Sequence, residues 1–210
     1  MPAFSAFISD LAFALARPLP AAAAHALVSP RPRRLGLDDA SQVRHAAGLL
    51  LLFPRDGRAH IVLTVRAETL GRHSGQISLP GGVVEPGEAF EQAALREAHE
   101  EISLQGDNVR VLGTLTSIDI PVSGFRLHPV VGACDQPPSL VAADGEVARI
   151  LEVPLDDLMA PGAVVVTERE RDGHRIAVPA FRVGGDEIWG ATAMVVAELL
   201  VVLGWAGPAE

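Results

Sequence analysis

The apolar residues of this chain fall mostly into short runs separated by turn residues, and only a few stretches show helical spacing. Strands are predicted at 46–53, 60–66, 76–79, 109–116, 127–133, 147–153, 164–169 and 175–181. Helical spacing predicts helices at 89–102 and 191–203. Many strands with few helices, in no regular alternation, predict an α+β fold. We expect an α/β/α sandwich with a mixed, partly antiparallel sheet.

The two ends of the chain carry further apolar segments. Helical spacing of Phe4, Ile8 and Leu11 predicts an amphipathic helix that packs on the domain. We divide the chain into a helix with a Pro/Arg-rich lead-in, 1–44, and one domain with its C-terminal helix, 45–210. The apolar run 188–205 contains a glutamate and is marginal in length for a membrane span. We predict a buried helix there, no membrane attachment, a cytoplasmic location and, as a further hypothesis, a homodimer that uses this helix.

Composition and charge exclude several classes of protein. With 49% apolar residues among 210, the chain is too hydrophobic to be disordered. The net charge is −9, from 17 basic and 26 acidic residues, so the diffuse basic surface of a nucleic-acid-binding protein is absent. A single cysteine, Cys134, excludes an internal disulfide and a multi-cysteine metal site.

The predicted helix at 89–102 carries three glutamates on one face. Glu97, Glu100 and Glu101 are spaced i, i+3, i+4, an arrangement in which like charges repel. The apolar line through Ala94 and Ala98 adjoins this face, so the carboxylates point towards the interior and need partners. A hard divalent cation such as Mg²⁺, together with a phosphate-bearing substrate, meets that need.

The residues around the acidic face fit the same chemistry. Arg96 can orient one of the acids through a bidentate pair, and Glu88 flanks the face. The preceding Gly81 and Gly82 allow the backbone to approach a ligand closely. The arrangement suits hydrolysis of a phosphoanhydride bond by a metal-activated water.

The segment 82–104 resembles the Nudix box. That pattern is Gly, five residues, Glu, seven residues, Arg-Glu, an aliphatic residue, any residue, Glu-Glu, any residue, Gly and an aliphatic residue. The chain matches it at Gly82, Glu88, Arg96, Glu97, Glu100, Glu101 and Leu104. It departs at Ser103, where the pattern has Gly, and Ala98 is a small residue for an aliphatic position. Because Ser103 falls at the helix end, we expect a change in capping and none in chemistry.

The resemblance implies a Nudix hydrolase, an α/β/α sandwich that cleaves a nucleoside diphosphate linked to another moiety with Mg²⁺ or Mn²⁺. It implies that Glu97, Glu100 and Glu101 are metal ligands, one of them doubling as the base, and that Arg96 orients them. Nudix enzymes often bring a further acid from a loop, and Glu146 is the candidate here, although a surface acid is the alternative for that residue.

Several other segments are similar to the coenzyme A pyrophosphatases within this family. They are Leu63–Ala67, Leu70, His73, Gly75-Gln76, Leu79–Gly82, Pro121–Phe125 and Ile188–Ala193. The chain departs at Gly71, where that signature has Arg, and at Leu79, where it has Phe. The resemblance implies hydrolysis of coenzyme A or its acyl derivatives to 3′,5′-ADP and 4′-(acyl)phosphopantetheine.

Binding of such a substrate needs cations placed away from the metal. The candidate substrate-binding residues are Arg66, Arg72, His73, Gly81 and Gly82. Two alternatives stay open. One is a Nudix pyrophosphatase acting on ADP-ribose, NADH or a nucleoside triphosphate, and the other is a non-catalytic Nudix-fold binding module.

Overall fold

A computed structural model of the chain describes residues 2–31, 43–67, 75–171 and 174–208. Its helices are α1 (Pro2–Leu15), α2 (Ala21–Ala26), α3 (Phe90–Ile102), α4 (Leu155–Met159) and α5 (Gly190–Val202). Its strands are β1 (Arg44–Arg55), β2 (Arg58–Arg66), β3 (Ile77–Ser78), β4 (Gly81–Val83), β5 (Arg110–Thr114), β6 (Ile118–Ile120), β7 (Phe125–Ala133), β8 (Val147–Pro154), β9 (Val164–Arg171), β10 (His174–Val183) and β11 (Asp186–Trp189).

The larger sheet is built around β1. This strand pairs with β7 in parallel and with β2 and β4 antiparallel, in the order β3-β2-β1-β7-β5. Strand β8 pairs with β2 and β6 with β7, while β9, β10 and β11 form a separate antiparallel sheet. The predicted mixed, partly antiparallel sheet is therefore confirmed.

Helices cover both faces of the larger sheet. Ala47, Leu49 and Leu51 pack against α3, whereas Leu50 and Leu52 face a second cluster to which α1 and α5 contribute. A strand buried on both faces reads as a continuous apolar run, which explains the composition of β1. The α/β/α sandwich is confirmed, and α1 packs on it as the spacing of its apolar residues predicts.

Helix α5 is buried within the chain itself. Its residues from Thr192 to Leu200 are inaccessible or nearly so, because α1, α2 and the sheet cover them. The predicted buried helix is confirmed, because the chain itself covers it. The homodimer stays a prediction. None of the helices in the described part of the chain is long and apolar enough to cross a membrane.

Several short elements differ from the prediction. Helix α2 lies between the predicted N-terminal helix and the Pro/Arg-rich segment, where no second helix was predicted, and α4 follows β8 without having been predicted. Gly81 and Gly82, which follow the strand predicted at 76–79, form strand β4 and pair with Gly48 and Ala47. The division at residue 44 stays a prediction.

Candidate active site

Helix α3 is held in a fixed rotation by its apolar face. Ala93, Ala94, Ala98 and Ile102 are buried against the sheet. This rotation leaves Glu97 and Glu101 half-buried, while the side chain of Glu100 is 55% exposed. The three carboxylates share one face of α3, as predicted, but the expectation that all three point towards the interior is wrong for Glu100, which lies on the solvent side of that face.

Arg96 donates hydrogen bonds to several acids of this face. Its Nε and Nη2 donate to the two carboxylate oxygens of Glu88 at 2.9 and 3.1 Å, and Nη1 donates to Glu97 Oε1 at 2.9 Å. Nη1 also reaches Glu100 Oε2 at 3.3 Å, and Nη2 donates to the Val83 carbonyl at 3.0 Å. The hydrogen bonds to Glu88 raise the pKa of Arg96 further above its ordinary value. Arg96 is thus a permanent cation that ties α3 to the loop before it.

Glu88 is the residue that fixes Arg96. Besides its two bonds from Arg96, Glu88 Oε2 accepts the Glu85 backbone N–H at 3.0 Å. These hydrogen bonds, that from Arg96 first, lower the pKa of Glu88. The carboxylate is therefore charged at neutral pH and turns the fork of Arg96 towards the acids of α3.

Glu101 stands in a different environment from its neighbours. Burial raises the pKa of Glu101 to about 7, although its carboxylate accepts the Gly81 backbone N–H at 3.1 Å, which acts in the opposite direction. The nearby charges of Glu97 and Glu146 raise the pKa further, and that of Arg66 lowers it. The charged form of Glu101 therefore lacks stabilising partners, and a bound cation can stabilise it.

The two glycines before α3 have no room for a side chain. A Cβ on Gly82 would lie 2.4 Å from the carboxylate carbon of Glu97, and one on Gly81 would lie 2.3 Å from the Ala47 carbonyl oxygen. Side chains here would displace Glu97 or break the pairing of β4 with β1. Their role in the structure is to let the carboxylates approach the backbone.

The donor set fits a hard divalent cation. It consists of carboxylate oxygens, which Mg²⁺ and Mn²⁺ prefer, and Glu101 is disfavoured in its charged form without a cation. In this conformation, no three His, Cys, Asp or Glu side chains among the described residues are arranged to hold one ion. Arg96 binds Glu97 and Glu100 instead, so the trio must turn towards an ion for all three to coordinate it.

The remaining predicted residues lie near or beyond this site. Arg66 is exposed at the end of β2 and acts on Glu101 through its charge. Glu146 is also exposed, immediately before β8, and its carbonyl accepts the Ala67 N–H at 2.9 Å. Arg72 and His73 lie outside the described residues.

Two backbone groups of the site were missed by sequence reasoning. They are the Val83 carbonyl, which accepts from Arg96, and the Gly81 N–H, which donates to Glu101. No side-chain pattern marks such groups. The one available signal was that Arg96 has five N–H donors, more than one carboxylate can accept, so a further acceptor such as a backbone carbonyl was to be expected.

A model of the NUDIX domain matches residues 43–176. The chain belongs to the Nudix family. Relatives named "Uncharacterized Nudix hydrolase NudL" are 36% identical over 166 residues in Citrobacter koseri and 34% over 171 residues in Photorhabdus laumondii. The first alignment covers 77% of this chain and 84% of the relative, the second 81% and 88%. A MutT/nudix family protein from Enterococcus faecalis has a TM-score of 0.50 and 18% identity, covers 81% of this chain and 71% of its own, and shares the fold.

Family membership confirms the Nudix resemblance and the fold it implied. Nudix hydrolases cleave nucleoside diphosphate derivatives and generally use divalent metals such as Mg²⁺ or Mn²⁺. The acidic face of α3 is the part of this Nudix domain whose chemistry suits that reaction.

Proposed function

We propose that this Nudix hydrolase cleaves the diphosphate of coenzyme A or its acyl derivatives, giving 3′,5′-ADP and 4′-(acyl)phosphopantetheine. The observation that carries the proposal is the position of Arg66. It belongs to the segment that is similar to coenzyme A pyrophosphatases, and its charge acts on Glu101 of the Nudix box. A cation beside the acidic site suits a substrate with several phosphates.

Contacts between separate parts of that signature also support the proposal. The Thr192 hydroxyl, in the segment Ile188–Ala193, donates to the Ile77 carbonyl of β3 at 2.9 Å. Strand β3 lies between Gln76 and the segment Leu79–Gly82, so the three segments are neighbours. Leu79, which replaces a Phe of the signature, is 5% exposed and contributes to the core. This departure therefore affects packing, and Gly71 lies outside the described residues.

We infer that Glu97, Glu100 and Glu101 would hold Mg²⁺ or Mn²⁺. A bound ion of this kind neutralises phosphate oxygens and lowers the pKa of a coordinated water. Arg96, fixed by Glu88, keeps Glu97 turned towards the β4 backbone. Glu101, whose carboxylate accepts the Gly81 backbone N–H, is our candidate for the ligand that doubles as the base.

The substrate is held, in this proposal, by cationic side chains and by the β4 backbone. Arg66, Arg72 and His73 would bind phosphate oxygens, and Gly81 and Gly82 would allow the diphosphate to approach the main chain. Glu146, close enough to Glu101 to raise its pKa, would add a fourth acid to the site. The cytoplasmic location stays a prediction.

A substrate panel tests the proposal. Untagged protein with Mg²⁺ or Mn²⁺ is given coenzyme A, ADP-ribose, NADH and dGTP, and kcat/KM is compared across them. We expect coenzyme A to be cleaved with the highest kcat/KM. A preference for ADP-ribose of more than about tenfold, or about 1.4 kcal/mol in the transition state, would overturn the substrate assignment. Absence of turnover on every compound with either metal would favour the binding-module alternative.

The role of Arg66 is tested with a matched arginine. Arg66→Met should lower kcat/KM for coenzyme A by about tenfold or more, because a charge-assisted bond to phosphate is lost. Arg110→Met is the control, since Arg110 is an exposed arginine on β5 that contacts Asp135. Equal effects of the two substitutions would show that Arg66 does not bind the substrate.

A further inference from the structure

Two imidazoles face each other beside the start of α3. Pairing of β1 with β7 places His128 next to Ala47, and His45 lies two residues earlier in β1, on the same face. His45 Nδ1 and His128 Nε2 are 2.9 Å apart, and the ring centroids are 5.1 Å apart. Since the residues are 83 positions apart in the sequence, only strand pairing brings them together.

The imidazole pair is next to an aromatic ring, Phe90, and to an ion pair, Arg126 with Asp119, whose charges balance. The ring of Phe90 stacks on His128 with centroids 3.6 Å apart and planes 8° apart, which fixes the His128 ring. Asp119 accepts from Arg126 Nε at 2.7 Å and neutralises its charge. Burial, followed by the charges of His45 and Arg126, lowers the pKa of His128, while Asp119 opposes this. The His128 ring is therefore neutral near pH 7 and available as a ligand.

The distance between the two nitrogens fits a metal ion held by both rings. Two nitrogens that each lie about 2.0–2.1 Å from one ion are about 2.9 Å apart at a right angle and about 3.3 Å apart at the tetrahedral angle. The observed 2.9 Å is the length of the hydrogen bond between the rings, and it also equals the separation at a right angle, so an ion that replaces the shared proton leaves the distance between the nitrogens unchanged. Square-planar and octahedral ions with cis ligands have this angle, and imidazole is a preferred ligand of Cu²⁺ and Ni²⁺.

We propose that His45 and His128 form a two-imidazole site for a divalent transition-metal ion of the Cu²⁺ and Ni²⁺ class, with water completing the coordination. His45 is exposed, so an ion and its waters have access to the pair. The two facing nitrogens now share one proton. An imidazole can carry a proton on either nitrogen, so a tautomer shift in one ring moves the shared proton away from the pair and frees both facing nitrogens for an ion.

This site differs from the acidic face in place and in chemistry. Phe90, which contacts His128, is the first residue of α3, and Glu97 lies about 10 Å further along the helix at 1.5 Å per residue. The pair offers two nitrogens, whereas the acidic face offers only oxygens. Ions that prefer oxygen, such as Mg²⁺, should therefore leave the imidazole pair free.

Calorimetric titration with Ni²⁺ tests the proposal. The untagged full chain is kept in excess Mg²⁺, which competes for the carboxylates, and we expect one Ni²⁺ per chain at this site. His45→Gln and His128→Phe should each weaken binding by about tenfold or more, or about 1.4 kcal/mol. Phe retains the ring that stacks on Phe90. Electron paramagnetic resonance of bound Cu²⁺ should show two nitrogen ligands in the wild type and fewer in each variant.

Two controls separate this site from other donors. His99→Gln removes another exposed imidazole, one that contacts the Leu104 carbonyl, and should leave Ni²⁺ binding unchanged. Glu101→Gln should also leave it unchanged, whatever its effect on hydrolysis. Wild-type affinity in His45→Gln, whose exposed site tolerates substitution, would overturn the proposal. So would loss of Ni²⁺ binding in Glu101→Gln, which would assign the ion to the carboxylates.

Discussion

Two buried or partly buried carboxylates of this protein have pKa values that are shifted in opposite directions. Glu101, at the acidic face of α3, accepts one backbone N–H, and burial raises its pKa to about 7. Glu198, in α5, is completely buried, yet its pKa is lowered. Burial alone would raise the pKa of Glu198, but hydrogen bonds from His25 and Thr116 outweigh it.

The difference lies in the number of donors. Glu198 Oε1 accepts from the Ala21 N–H at 3.1 Å and the Thr116 hydroxyl at 2.6 Å, and Oε2 accepts from the Thr116 N–H at 3.1 Å and contacts His25 Nε2 at 3.0 Å. Each of the two carboxylate oxygens therefore already has two polar partners from the protein. Glu101 has fewer donors and two acidic neighbours. A buried acid with a full set of donors joins elements, whereas one that lacks them is suited to a ligand cation.

Glu101→Gln should give the largest effect on activity. It removes a charge without changing volume, so we expect a loss in kcat/KM of at least about a hundredfold, since even loss of an outer partner of a metal ligand costs 10–100-fold. The fold should persist, because repulsion with Glu97 and Glu146 disappears. Steady-state kinetics at saturating Mg²⁺ measures the loss, and near-normal turnover would show that Glu101 is not a principal ligand.

Glu198→Gln should instead affect stability. In the glutamine variant, one of the two carboxylate oxygens becomes an NH2 group. If it replaces Oε1 it faces the Ala21 backbone N–H, and if it replaces Oε2 it faces the Thr116 backbone N–H. Leaving a buried donor without an acceptor costs about 2 kcal/mol in the free energy of unfolding. Urea unfolding measures this cost, and kcat per folded molecule should stay unchanged. Thr116→Val, which replaces the donating hydroxyl with a methyl group and keeps the Thr116 backbone N–H, should cost less. An unfolding midpoint equal to that of wild type would contradict the role assigned to Glu198.

The two acids should also give opposite dependences of stability on pH. In metal-free protein, folded Glu101 keeps its proton up to about pH 7, while the unfolded chain loses it near 4.5. Stability from this group is therefore present at low pH and falls as pH rises from about 4.5 to 7, by on the order of 3 kcal/mol. Glu198, with its lowered pKa, contributes stability above 4.5 that is lost in acid.

Urea unfolding at pH 5 and pH 8 in EDTA isolates the contribution of Glu101. The wild type should lose more stability between these two values than Glu101→Gln does, and Mg²⁺ should reduce the difference. Equal losses in the two proteins would show that Glu101 does not carry a raised pKa.

The acidic face was predictable because its information is local. Spacing of the glutamates, the phase of Ala94 and Ala98, and the position of Arg96 all fall within four turns of one helix. The sheet, the sandwich and the two terminal helices also followed from apolar patterning. Short strands such as β4 did not, since their pairing with β1 depends on a partner distant in the sequence.

The contacts of Glu198 and His45 could not be predicted from the sequence, because each joins residues that are far apart along the chain. Glu198 meets Thr116 across 82 residues, and His45 meets His128 across 83. In the sequence, Glu198 is only a charge within an apolar run, and the histidines have no metal-ligand spacing. Such pairs become visible once the register of β1 and β7 and the packing of α5 are fixed.

The end of α3 provides the smallest predicted effect. Ser103, where the Nudix pattern has Gly, follows the last helical residue with φ 55° and ψ 27°, the left-handed conformation. This is the conformation that Gly favours at a helix end, so Ser103 keeps the same cap and places a Cβ where Gly has none. Ser103→Gly should stabilise the fold by about 1 kcal/mol, or about 2–4 °C in Tm. Ser103→Ala, which keeps the Cβ, is the control; an equal gain in that variant would show that the hydroxyl, and not the backbone conformation, destabilises the helix end.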